Sequence, residues 1–173
     1  MAEGAEITER KGLALAAVMA RKDVDAARIG AALGLAAPEG PALVSDGAVA
    51  LIGTGPGVWL AARDGGAADW ADALTERLAG LASVSDQSAG YRLLRLRGPG
   101  AQALLQKGVF IDLDPSAFPV GAAAVTVIAH IGVILWKVDE SPTFDLAVFR
   151  SLAGSLRDWI LASADAPLDL PDL

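Results

Sequence analysis

The sequence predicts an α+β fold, a mixed and mainly antiparallel sheet with helices packed on it. Three observations predict it. The apolar runs 48–52 and 58–62 flank Gly53-Thr-Gly-Pro-Gly57, turn chemistry that joins two strands as a hairpin and so makes them antiparallel. Trp70, Leu74 and Leu78 recur every four residues, the spacing of one helix face. The first half of the chain reads β-α-β-β-α-β, the split order of ferredoxin-like folds. A length of 173 residues favours one domain, 1–173, with polar termini at 1–10 and 165–173 expected as flexible tails.

Each element has a local reason. Residues 13–19 are apolar and short, and read as a strand or the start of a helix. Residues 22–33 read as a helix, with Val24, Ala27 and Ala31 in register and Gly34 as its stop. Two Pro and two Gly make 36–47 a loop. Asp69 is placed to cap a helix over 70–79 that Gly80 ends. Residues 81–86 and 91–97 read as strands, the second with Arg92, Arg95 and Arg97 on a wet face or paired with a partner. Pro99 opens a short helix reaching Lys107, and 112–119 form a loop. Strands follow at 122–129, 133–138 and 144–149, then a helix at 152–162.

Composition excludes several chemistries. The chain has no Cys and one His, which rules out thiolate sites, disulfides and multi-His metal centres. Its net charge of −7 opposes binding to nucleic acid or anionic lipid. Residues 115–136 carry no formal charge, and mean hydropathy is +0.44. Pro119, Gly121, His130 and Gly132 interrupt that stretch, however, and its β-branched runs read as two buried strands, not a membrane helix. With an acidic start and no basic leader, the chain reads as cytoplasmic.

No motif specifies an active site. Gly53-Thr-Gly-Pro-Gly57 lacks the last glycine of a dinucleotide fingerprint, and Pro56 removes an N–H. His130 lies between two apolar strands and reads as a core or interface residue on a buried strand. Asp86, in Ser85-Asp86-Gln87-Ser88, reads as a turn cap or as a contact for a cationic ligand. Among the four Trp, Trp70 belongs to a clean helix face, whereas Trp59, Trp136 and Trp159 are candidates to border an exposed apolar patch. The interface candidates are therefore Trp59, Trp136, Trp159, His130 and Asp86, with no catalytic, cofactor-binding or metal residue assigned.

Five strings carry a resemblance: Leu51-Ile-Gly-Thr-Gly-Pro-Gly-Val-Trp-Leu-Ala, Leu81-Ala-Ser-Val-Ser-Asp-Gln-Ser, Lys107-Gly-Val-Phe-Ile-Asp-Leu-Asp-Pro, Ala129-His-Ile-Gly-Val-Ile-Leu-Trp and Pro142-Thr-Phe-Asp-Leu-Ala-Val-Phe-Arg-Ser. In this order and spacing, over about residues 7–164, the chain resembles the gamma subunit of heterotetrameric sarcosine oxidase. The resemblance implies a fold like the folate-binding aminomethyltransferase domain of the glycine cleavage T-protein. It implies a non-catalytic place in a complex that oxidises sarcosine to glycine. The partners implied are the alpha, beta and delta subunits. The cofactors implied for the complex are FAD, FMN, NAD, tetrahydrofolate and zinc, with none in this chain. Asp114, where the family usually has His, and a less aromatic last helix depart from the pattern. They leave open a related N-methyl amino acid dehydrogenase. The rival readings are a stand-alone folate-binding aminomethyltransferase-like protein and a chain that homo-oligomerises when its partners are absent.

Overall fold

The computed structural model describes residues 4–165 and Leu168. It shows two compact units, one made of Gly12–Ala89 and the other of the chain before and after that insert.

In the Gly12–Ala89 unit, β2 (Leu13–Ala20), β3 (Leu43–Ser45), β4 (Val49–Gly55), β5 (Val58–Asp64) and β6 (Ala82–Asp86) form one sheet in the order β3-β4-β5-β2-β6. Every pairing is antiparallel. Without the short edge strand β3, this is the split arrangement that the sequence predicts. The ambiguous run at 13–19 is a strand because it pairs on both sides, with β5 and with β6.

Helices α1 (Ala26–Leu33) and α2 (Trp70–Arg77) supply the rest of this unit's core. Ala16, Val18, Leu51, Trp59 and Ala61 from the sheet are buried with Ile29, Trp70, Leu74 and Leu78. Burial of each large apolar side chain contributes about 1.5–3 kcal/mol. Helix α1 starts four residues later than the spacing predicts. Asp23 takes a left-handed backbone (φ 64°), and the Asp25 carboxylate accepts the Arg28 N–H at 2.9 Å as the true N-cap. Gly34 ends it in the left-handed conformation, as expected. At α2 the cap expectation is corrected, because Asp69 makes no capping hydrogen bond from its side chain.

In the other unit, β1 (Glu6–Glu9), β7 (Tyr91–Arg97), β8 (Ala123–Ile128), β9 (Ile131–Asp139) and β10 (Thr143–Phe149) form an antiparallel sheet in the order β1-β7-β10-β9-β8. The uncharged stretch at 115–136 thus supplies strands, and no helix among the described residues is long and apolar enough to cross a membrane. Helix α3 (Ala101–Gln106) follows β7, and α4 (Ala153–Ser163) follows β10 after one 3-10 turn. Their apolar faces cover Leu94, Leu96, Phe144, Leu146, Val148, Val133 and Leu135.

One terminal expectation changes. Residues 1–10 include a strand because Ile7 is buried in this core and Glu6 and Glu9 meet arginines across β7. The expectation for 165–173 lies outside the described residues except at Asp165, whose carboxylate pairs with Lys107 at 2.7 Å, and Leu168.

Candidate functional site

The Gly53–Gly57 segment is a hairpin, with Pro56 and Gly57 (φ 67°) at its turn. Gly53 has a further reason to lack a side chain. A Cβ there would collide with the backbone carbonyl of Gly40, and the Gly53 N–H donates to the Ala42 carbonyl at 2.9 Å. A strand, not a helix, follows the glycines, so this loop is not built like a phosphate-binding turn.

His130 departs from the buried-strand expectation. Ala129 (φ 48°) and His130 (φ 71°) are the two central residues of the turn between Ile128 and Ile131. Two consecutive positive φ values are the signature of a type I′ turn. The imidazole is exposed at the tip. Its apolar flanks are strand ends, and sequence alone does not separate a strand interior from a two-residue turn that lacks Asn or Gly.

Asp86 ends β6 and is exposed. Its carboxylate accepts the Ser88 N–H at 2.8 Å, and its pKa is lowered, chiefly by hydrogen bonding to Ser88. The Ser88 hydroxyl in turn accepts the Leu15 N–H at 3.0 Å and lies 3.3 Å from the Leu15 carbonyl. The Ser85–Ser88 cluster therefore ties a turn to β2.

The tryptophans divide. Trp59, Trp70 and Trp136 are 2%, 6% and 3% exposed. The Trp59 indole N–H donates to the Pro38 carbonyl at 2.8 Å, which fixes the loop before β3. Trp159 is half-buried against Gly108, two residues before Phe110, which is 77% exposed.

A buried ionic ladder was not legible beforehand. The Asp145 carboxylate is 1% exposed, and it accepts two hydrogen bonds from Arg95, at 2.7 and 2.8 Å, and one from Arg10 at 2.8 Å. Glu9, 4% exposed, pairs with Arg92 at 2.8 Å and Lys11 at 3.4 Å. Arg97 makes a bidentate pair with Glu6, at 2.8 and 2.9 Å. The Arg92/Arg95/Arg97 stripe thus finds its anions within the same unit. The one available signal was Asp145 itself, a charge inside the apolar strand of residues 143–149. Lys137, 1% exposed, reaches Glu140 at 3.5 Å.

These groups do not make a reactive pair. Glu9 and Asp145 are each paired with a guanidinium, which suits ion pairing and not proton transfer. Among the described residues no cluster of three or more His, Asp or Glu side chains is placed to hold a metal ion.

Comparison with known proteins places the chain. Residues 19–166 match the model of the family described as "Sarcosine oxidase, gamma subunit family". A sarcosine oxidase subunit gamma of Arthrobacter sp. is 36% identical over 123 residues, which cover 69% of this chain and 60% of that protein. The counterpart from Corynebacterium sp. (strain P-1) is 41% identical over 63 residues, 36% of this chain and 31% of the relative. The chain thus spans less than two thirds of the length of these relatives.

Among solved structures, a chain of the heterotetrameric sarcosine oxidase from Corynebacterium sp. U-96, in complex with pyrrole 2-carboxylate, superposes with a TM-score of 0.83. It is 26% identical, with 92% of this chain and 83% of that chain covered. The glycine cleavage system aminomethyltransferase T of Bartonella henselae superposes with a TM-score of 0.67 at 16% identity, over 96% of this chain and 47% of that one. At that identity the likeness is one of fold.

Proposed function

The chain belongs to the sarcosine oxidase gamma subunit family, and from that premise we propose that it serves as the gamma subunit of a heterotetrameric, sarcosine oxidase-type complex, in an assembling and non-catalytic role. The observation that carries this reading is the family match over residues 19–166. The likeness to a chain of a heterotetrameric sarcosine oxidase, at a TM-score of 0.83, supports it. The residues agree with a supporting part. Arg92, Arg95 and Arg97 are engaged with Glu9, Asp145 and Glu6, and Asp86 closes a turn.

In this reading the alpha, beta and delta subunits are the partners. FAD, FMN, NAD, tetrahydrofolate and zinc would be held on them, the chemistry would be oxidative demethylation of sarcosine to glycine, and the complex would work in the cytoplasm. The test is recovery of the native complex through a tag on this chain, with identification of its subunits and assay on sarcosine. Co-elution with flavin-bearing subunits and sarcosine-dependent hydrogen peroxide formation is the expected result. A chain that elutes alone and binds tetrahydrofolate would replace this reading with that of a stand-alone aminomethyltransferase-like protein.

A further inference from the structure

The two sheets share one topology. In the Gly12–Ala89 unit, β2 leads through α1 to the edge strand β3, the meander β3-β4-β5 returns to lie beside β2, and α2 then leads to β6 on the other side of β2. In the other unit, β7 leads through α3 to the edge strand β8, the meander β8-β9-β10 returns to lie beside β7, and α4 follows. The place that β6 fills beside β2 is filled beside β7 by β1, which precedes the whole insert in sequence.

Local sequence favours a different pairing for β1. Only Arg10, Lys11 and Gly12 separate it from β2, and Gly12 is left-handed (φ 75°), the make-up of a three-residue hairpin loop. Such a hairpin would set Glu9, Thr8, Ile7 and Glu6 against Leu13, Ala14, Leu15 and Ala16, none of them charged. The slot on β7 offers the opposite. There Glu6 meets Arg97, Glu9 meets Arg92, and Arg10 meets the Asp145 carboxylate that Arg95 shares. β6 has no answer to those arginines, because its one charged side chain, Asp86, is engaged by the Ser88 N–H. Ile7 does not choose between the slots, since both units have an apolar core.

A carboxylate buried without its cation is strongly disfavoured, and the best-attested use of buried polar pairs is to fix which segments pair and in what register. We propose that the ionic ladder is an address: it assigns β1 to β7 across the insert, against the nearer hairpin with β2.

The experiment is amide hydrogen exchange by NMR on the full chain. The Arg10 N–H donates to the Leu93 carbonyl at 2.8 Å, so alternation turns the Arg95 amide toward β1 and the Leu94 amide toward β10. Reversing one side of the ladder, with Glu6→Arg and Glu9→Arg together, should speed exchange at Arg95 at least about tenfold and leave Leu94 unchanged. Adding Arg92→Glu and Arg97→Glu, which restores opposite charges, should return Arg95 to within about threefold of the parent. Unchanged exchange at Arg95 in the one-sided variant would overturn the proposal. So would a swapped chain that is not rescued. An equal rise at Arg95 and Leu94 would make the ladder a general support of the unit and not an address, and would overturn it too. Should the reversed chain fail to fold, Glu6→Gln with Glu9→Gln gives the milder reading at the same two amides, with faster exchange expected at Arg95 alone and equal rates at both counting against.

Discussion

At the scale of single residues, charge is placed where loss of one partner is costly. Asp145 is 1% exposed and shared by Arg10 and Arg95, whose side chains are 21% and 31% exposed. Asp145→Ala removes the buried carboxylate that two mostly buried guanidiniums share and should destabilise the chain by about 3–5 kcal/mol, measured by urea unfolding. Asp145→Asn keeps the shape and some hydrogen bonds and should cost less. Four exposed aspartates give the chain an acid-side dependence. The Asp139 pKa lies below its usual 3.8, first because the Ser141 hydroxyl donates to it at 2.6 Å. Asp114 is lowered in the same way by Ser116, Asp86 by Ser88, and Asp46 by the Val49 and Ala48 N–H groups. A depressed folded-state pKa contributes stability that is fully present above the unfolded value and is lost as pH falls through the folded one. Stability should therefore be flat above about pH 5 and decline below about pH 4, with a shallower decline in Asp139→Asn. His130 has a different role, since at φ 71° it occupies a position suited to glycine. His130→Gly should raise the melting temperature, by relief of about 1 kcal/mol of left-handed strain.

At the scale of elements, close backbone approach decides which positions tolerate change. Gly53→Ala drives a Cβ onto the Gly40 carbonyl, where no flexible side chain can yield. It should cost at least about 1–3 kcal/mol, visible as a lower denaturation midpoint. Gly108→Ala meets the Trp159 ring instead, a side chain able to shift, and should cost less. The same contrast explains what was legible beforehand. The hairpin at 53–57 and the Trp70/Leu74/Leu78 face were readable because turn chemistry and period are local signals. β1 was not, because Glu6–Glu9 is polar and becomes a strand only through Arg92, Arg97 and the core around Ile7, all contributed from distant sequence. β3 was hidden in a stretch of Pro and Gly for the same reason, as it exists only through its pairing with β4. Of the interface candidates, Asp86 kept the turn-capping part the sequence offered it. Trp59 packs with Ile29 and Trp70 on the helix-covered face of its sheet, and Trp136 is buried as well; strand alternation alone does not say which faces of a sheet are covered.

For the whole molecule, the proposed non-catalytic role can be set against its titratable groups. General acid–base catalysis at neutral pH needs a group whose pKa lies near that pH and which sits beside the reacting atoms. The shifted aspartates move the wrong way, since a carboxyl held below 3.8 has no proton to give at pH 7. Asp145 and Glu9 are held by guanidiniums, and the single imidazole stands exposed at a turn. The purified full chain should therefore be colourless and without oxidase activity, as an absorbance scan and a peroxide assay would show. In the assembled complex, His130→Gln should leave kcat on sarcosine within about threefold of the parent, because removal of a group that does no proton transfer leaves the barrier unchanged. A loss of about a thousandfold with the subunits still associated, or a stoichiometric flavin spectrum from the chain alone, would place chemistry on this subunit.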